Sequence, residues 1–176
     1  CFSLFAQEDL PQDYLTKEFH AGRREALRAV MPANSVVMVN AFATRTFSND
    51  VEYLYHQNPD LYYFTGYKEP HSLLLVFKEP QQLANGIAVS EIMVVQKRSA
   101  QEEQWPGRRL GIEGAKEKLG LSYVVNGDDF RKLGLDLSKF DKVIFDRIPT
   151  DIPNAPRDSA DLFDLLRQFK QMAAIP

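Results

Sequence analysis

The sequence lacks the raw material for several classes of function. It holds one cysteine, Cys1, in 176 residues. A lone cysteine forms no disulfide within the chain, which excludes a disulfide-stapled fold. The three histidines, His20, His56 and His71, show no metal-ligand spacing such as HExxH, and with one cysteine they exclude a zinc finger. There is no G-x-S-x-G elbow. There is no Gly-rich phosphate cradle either: Gly107-Arg108-Arg109-Leu110-Gly111 has neither the spacing nor the residues of one. No run approaches the ~20 apolar residues of a membrane span. Internal repeats and low-complexity tracts are absent. Basic residues number 21 against 24 acidic ones, a net charge of -3. That balance supplies no general surface for a polyanion, so no nucleic-acid partner is expected.

What the chain does have is enough apolar residue, 44%, to bury one good core. Its length fits one domain with a small appendage at roughly 100–200 residues per domain. The start, Cys1-Phe2-Ser3-Leu4-Phe5-Ala6, is apolar and runs into Gln7-Glu8-Asp9. It reads either as the remnant of a secretory signal, which favours a periplasmic or secreted protein, or as a hydrophobic stub; a lipidated Cys1 is a third reading. The end, after a helix, is Ala173-Ala174-Ile175-Pro176, and reads as a cut at a domain linker. The expected division is an N-terminal extension over 1–13, a domain over 14–172, and the start of a linker over 173–176.

Along the chain, Leu15, Phe19, Ala26, Leu27, Val30 and Met31 trace one face of a helix over about 14–31, stopped by Pro32. Ser35–Ala41, rich in β-branched residues, predicts a buried strand. Residues 44–50 read as a polar connection. Leu61–Thr65 predicts a second strand ended by Gly66, Ser72–Phe77 a third, and Ala88–Val95 a fourth after an Asn85-Gly86 turn. A helix over Gly111–Leu119 with Gly120 as its stop, a strand over 122–125, a short helix capped by Asp128 or Asp129, and a strand over 142–146 follow. Leu162, Leu165, Leu166 and Phe169 then mark a helix capped by Asp158 or Ser159. Clustered strands suggest antiparallel pairing early, and strand–helix alternation suggests parallel pairing late. The expected architecture is α/β, a mixed sheet flanked by helices.

Three features could carry chemistry. Six of the twenty aromatic residues fall in the fifteen positions Tyr53–Tyr67. Stacked bases would need cations along the backbone track, and this window has no Lys or Arg. Alternate rings filling a core, with the others in a subunit contact, is the favoured reading. The second feature is Glu102-Glu103-Gln104-Trp105-Pro106-Gly107-Arg108-Arg109-Leu110-Gly111, in which the one Trp stands among charges and turn residues. It reads as an interface anchor or as a locally paired loop whose indole covers a core edge; Arg108 and Arg109 could pair with Glu102 or Glu103 or grip a carboxylate. The third is a set of acidic pairs, Asp50 with Glu52, Asp128 with Asp129, and Asp158 with Asp161 and Asp164. These read more simply as caps and turns than as a metal site.

The motifs, in order, resemble one family. Arg23-Arg24-x-x-Leu27 with Met31, then Asp50-x-x-Tyr53-x-Tyr55-x-Gln57-x-x-Asp60-x-x-Tyr63-x-Thr65-Gly66, Glu69-Pro70, and Glu103-x-Trp105-x-Gly107-x-Arg109-x-Gly111 are similar to the N-terminal domain of Xaa-Pro aminopeptidases (aminopeptidase P). The likeness covers about 16–120; over 121–170 it rests on the order of strands and helices. It implies a creatinase-like N-terminal domain on a ribonuclease H-like sheet. It also implies a following metallopeptidase domain that holds two divalent ions, usually manganese, and releases an N-terminal residue preceding proline. By that resemblance this chain has no catalytic residue and no metal ligand of its own. Its partners would be its own C-terminal catalytic domain, further copies in a homo-oligomer, and Xaa-Pro peptides as substrates of the whole. Trp105 would line a neighbouring subunit's cleft. Arg109 would brace the loop by a carboxylate pair, and Gly107 and Gly111 would permit its turns. Tyr53, Tyr55, Tyr63 and the Thr65-Gly66 turn read as scaffold. Two departures stand out: Pro106 stiffens the loop beside Trp105, and His56 stands where the family pattern suggests Arg. A stand-alone protein- or peptide-binding module of the same fold is the alternative. A nuclease is a third reading, and the scattered acids do not supply its converging carboxylates.

Overall fold

The computed structural model describes residues 15–48, 51–99, 103, 107–152 and 160–176. The readings placed on Cys1–Ala6, Asp50, Asp158 and Ser159 lie outside the described residues. In chain order the elements are α1 (Lys17–Val30), β1 (Ser35–Asn40), β2 (Thr46–Ser48), β3 (Val51–Glu52), α2 (Pro59–Thr65), β4 (Leu73–Gln82), β5 (Ala88–Val95), α3 (Gly111–Leu119), β6 (Val124–Asn126), α4 (Gly127–Phe130), β7 (Lys142–Phe145) and α5 (Leu162–Met172).

Five strands form one sheet in the order β6-β5-β4-β1-β7. The pairs β1/β4 and β4/β5 are antiparallel, and β5/β6 and β1/β7 are parallel, so the sheet is mixed as the element order suggested. Leu73, Leu74, Leu75, Val76 and Phe77 of β4 are each fully buried. Successive strand residues point to opposite faces, so burial of all five means that both faces of the sheet are covered. Val76 stands opposite Val37 of β1, and Leu75 opposite Met38. On α5, Leu162, Leu165, Leu166 and Phe169 are buried, and Phe169 meets Phe145 of β7 edge to face at 5.8 Å.

The first helix buries part of the expected face, Leu27 and Met31, and adds polar residues to it. Val30 is 79% exposed, whereas His20 and Arg24 are buried at 1% and 2%. The reason lies on the sheet. Glu91 of β5 is itself buried, and a carboxylate there needs a cation. Arg24 supplies it, its Nε 2.7 Å from Glu91 Oε2. The same guanidinium donates to the carbonyls of Phe64 at 2.8 Å and Gly120 at 3.1 Å. Those carbonyls sit at the C-terminal ends of α2 and α3, where a cation also meets the negative ends of the helix dipoles. Arg28 adds a second cation at 3.3 Å, and the Ser122 N–H donates to Glu91 Oε1 at 3.2 Å.

Residues Leu61–Thr65 form the helix α2 and not a strand. The aromatic run carries β-propensity, which is context-dependent. The termini decide: Asn58 caps the helix by accepting from Asp60 N, Pro59 occupies the first turn, and Gly66 closes it. The polar connection over 44–50 contains most of a small two-stranded ribbon, β2 with β3. Two caps also move. Asp161, accepting from Asp164 N at 2.9 Å, starts α5. Asp128 and Asp129 lie inside the first turn of α4, whose N-cap is Asn126.

Burial alone would raise the Glu91 carboxyl; the Arg24 hydrogen bond and charge, the Ser122 N–H and Arg28 outweigh it and hold the group below its ordinary 4.5. A depressed carboxyl stabilises the fold above its unfolded value and loses that contribution as pH falls through its folded value. Arg24→Met is expected to cost up to about 3–5 kcal/mol near neutral pH, because it removes the nearer cation and leaves the buried carboxylate to Arg28 at 3.3 Å. Glu91→Gln is expected to destabilise near pH 7, and its deficit relative to the parent is expected to shrink as pH falls below 4.5. Urea unfolding across pH checks both; a deficit that is constant with pH contradicts the assignment.

Candidate functional site

The segment from Gln96 to Leu110 joins β5 to α3 and contains the Trp loop. Its base is held by several short links. Arg98 Nε is 3.0 Å from Glu103 Oε1. The Glu103 N–H donates to the Ser99 carbonyl at 2.9 Å. Arg109 Nη1 donates to the Lys97 carbonyl at 3.0 Å, tying the returning arm to the departing one. The Arg98 stem then lies across Gly111. A Cβ at that glycine would stand 2.5 Å from Arg98 Cγ, and the backbone there has φ +63°. Gly107 also has positive φ, +89°, with open space where a Cβ would stand. The structure therefore places Arg109 and Gly111 at the loop base, with Gly107 ahead of them on the same arm. Trp105, with Glu102, Gln104 and Pro106, lies outside the described residues.

A second group reaches the same loop from the other side. The Leu110 N–H donates to Glu69 Oε1 at 2.7 Å, and the Tyr67 hydroxyl donates to Glu69 Oε2, also at 2.7 Å. Tyr67 is fully buried. Burial and the adjacent Glu69 push its hydroxyl well above its ordinary value, so it stays protonated and remains a donor. The Glu69 backbone is fixed as well: its carbonyl accepts from Gln57 Nε2 at 2.9 Å and from Ser72 Oγ at 3.3 Å. Tyr55 donates to Gln57 Oε1 at 2.8 Å, and burial pushes the Tyr55 hydroxyl up. Thr65 Oγ1, buried, donates to the Leu61 carbonyl and accepts from Tyr67 N. Tyr53 and Tyr63, by contrast, are exposed at 58% and 41%.

Arg98, Tyr67 and Glu69 are the supporting residues that carried no role in the sequence reading. Arg98 could have been found from its five-residue separation from Glu103. Glu69 belonged to a quoted motif, but its reach to a backbone N–H 41 positions away has no periodic signature. Among the described residues, no group of three or more His, Cys, Asp and Glu stands where it could hold a metal ion. The donor set present does not fit the pair of ions that the family resemblance implies. What the arrangement offers is a braced loop.

Known proteins give the loop a context. The family described as aminopeptidase P, N-terminal domain, matches residues 20–144. The Xaa-Pro aminopeptidase of Escherichia coli (strain K12) is 37% identical over 99 residues, which cover 56% of this chain and 21% of that protein. The Xaa-Pro aminopeptidase of Haemophilus influenzae is 30% identical over 116 residues, 66% of this chain and 26% of that protein. The structure of Escherichia coli aminopeptidase P with the inhibitor Pro-Leu superposes with a TM-score of 0.64 at 25% identity, covering 89% of this chain and 33% of that one. The matched part thus spans about a fifth to a quarter of the length of these curated relatives.

The loop base is testable through its ion pair. The Arg98 hydrogen bond holds the Glu103 carboxyl below its ordinary 4.5. Gly107→Ala and Gly111→Ala both place a side chain at positive φ, at a cost of about 1–3 kcal/mol. Only Gly111→Ala also displaces Arg98. Carboxyl titration by NMR is expected to show Glu103 moving up toward 4.5 in Gly111→Ala and staying low in Gly107→Ala. An unmoved Glu103 in Gly111→Ala contradicts the clasp.

Proposed function

The chain belongs to the aminopeptidase P N-terminal domain family, and from that premise we propose that it is the non-catalytic, shape-giving part of a metal-dependent Xaa-Pro aminopeptidase. The catalytic domain and its two divalent ions, manganese in this reading, belong to a further part of the same polypeptide. The domain contributes to oligomerisation and narrows access to a neighbouring subunit's active site. Substrates of the whole are peptides with proline in the second position.

The observation that carries this reading is the family match over residues 20–144, which takes in the braced loop. The described base of this loop is held by Arg98–Glu103 and Arg109–Lys97, which supports a role for the loop in a contact with a second subunit. Trp105 is the residue proposed to reach. An indole packs well on the proline ring of a peptide, and it brings a large apolar area at low entropic cost.

In the complete polypeptide, Trp105→Ala is expected to weaken cleavage of longer Xaa-Pro peptides several-fold through KM, with metal content unchanged. Steady-state kinetics over a series of peptide lengths, with metal analysis of the same samples, checks it. Kinetics identical to the parent at every length would remove Trp105 from the substrate path.

A further inference from the structure

The sheet ends on β7, and among the described residues no strand lies on its outer side. An edge of this kind presents unpaired N–H and C=O groups to any strand that aligns with it. Which groups these are follows from the ladders. The Ala41 N–H donates to the Ser72 carbonyl at 2.9 Å, in the register that sets Asn40 opposite Leu73. Backbone groups alternate in direction along a strand, so Val37 and Val39 bond toward β4, and Val36 and Met38 toward β7. In a parallel ladder a residue bonds to the two neighbours of its register partner. The partners of Val36 and Met38 are Val143 and Phe145, so Lys142 and Ile144 take part in those bonds. The N–H and C=O groups of Val143 and Phe145 face the open side.

The side chains make this edge self-complementary. Phe145 turns to Phe169 of α5, and Val143 shares its face. Lys142 and Ile144 lie on the other face. Ile144 is 39% exposed, and Lys142 and Asp146 are exposed as well. Lys142-Val143-Ile144-Phe145-Asp146 therefore runs from a cation through three apolar residues to an anion. Laid antiparallel on a second copy about a two-fold axis through Ile144, it sets Lys142 opposite Asp146 on both sides of the axis. The same register sets Val143 opposite Phe145, so the outward backbone groups meet as hydrogen-bonded pairs. Ile144 then meets its copy in a non-hydrogen-bonded pair, where side chains come closest. An axis through Val143 would set Lys142 opposite Ile144, and one through Phe145 would set Asp146 opposite Ile144. Of the three registers, one matches the charges.

We infer that β7 is a self-pairing edge: two copies of this chain join β7 to β7, antiparallel about Ile144, into one continuous sheet. This gives a surface to the oligomer proposed above, and rests on that proposal only for its setting in the complete polypeptide. The pairing itself stands on the open edge and the two charges. So short an edge makes a small interface, and the association is weak.

The test uses the 176-residue chain, whose strand β4 is buried on both faces by the chain's own residues. Sedimentation velocity from about 10 µM to about 1 mM is expected to show a monomer–dimer equilibrium, the range that suits a small interface. Lys142→Asp sets Asp opposite Asp twice, and Asp146→Lys sets Lys opposite Lys twice. Each alone is expected to raise the dissociation constant about tenfold, since like charges directly opposite destabilise a strand pair. An equimolar mixture of the two variants restores both opposite-charge pairs in the mixed dimer and is expected to associate as the parent does. A variant that failed to fold would not be rescued in this way. Lys118→Asp mixed with Asp146→Lys has the same charges away from the edge and is expected to stay monomeric. Amide exchange at Val143 and Phe145 is expected to slow with concentration in the parent, with β6 unchanged.

A chain that stays monomeric at every concentration overturns the proposal and leaves the oligomer of the complete polypeptide to other surfaces. A dimer that neither charge reversal weakens overturns it too, as does a mixture of the two variants that fails to associate. Val143 and Phe145 amides protected to the same degree at every concentration would mean that the edge is covered from within the chain, and overturn it as well.

Discussion

One buried ion pair holds the arrangement that everything else uses. Arg24 and Glu91 meet at 2.7 Å with both side chains almost fully out of solvent. Such a pair is costly to desolvate, and it is retained only when the remaining hydrogen-bonding capacity is filled. Here it is filled by structure: two helix-end carbonyls take the guanidinium, and the Ser122 N–H and Arg28 take the carboxylate. The consequence is geometric. Glu91 belongs to β5, and the Gly120 carbonyl belongs to the end of α3. The pair thus ties together the two elements between which the loop runs, although the loop itself leaves β5 after Val95 and enters α3 at Gly111.

The described base of the loop has links of its own. Arg98, Glu103, Arg109 and Glu69 are exposed or partly exposed, so the electrostatic part of each contact is modest. Their effect comes from number and direction. Two links close the base, one ties it to a buried tyrosine, and Gly111 lets the Arg98 stem pass over the backbone.

Much of the fold could be read from the chain because the signals were local. The Asn85-Gly86 turn, the β5 run Ala88–Val95 and the helix Gly111–Leu119 with Gly120 behind it each carry their own start and stop. The reading failed where tertiary contacts overrode the local pattern. On α1 the apolar stripe kept Leu27 and Met31 inside but lost Val30, and Arg24 was buried because Glu91, far away in sequence, demanded a cation. At α2 the caps Asn58-Pro59 and Gly66 outweighed the β-propensity of Tyr62-Tyr63-Phe64. At the site, the positive φ of Gly107 and Gly111 follows from local turn signals, whereas the bond of Arg109 to the Lys97 carbonyl replaces the expected carboxylate partner among the contacts described. Glu69 and Tyr67 were not legible, because a hydrogen bond to a backbone N–H leaves no periodicity behind.

The family match places this chain with the N-terminal domain of aminopeptidase P, and the division of labour proposed above rests on that match. The most direct measurement is peptide hydrolysis by the purified 176-residue chain with manganese added, beside the complete polypeptide on the same Xaa-Pro substrate. The account predicts cleavage by the complete polypeptide and none by the chain alone. Release of the N-terminal residue by the chain alone, in a preparation free of contaminating peptidase, would contradict it.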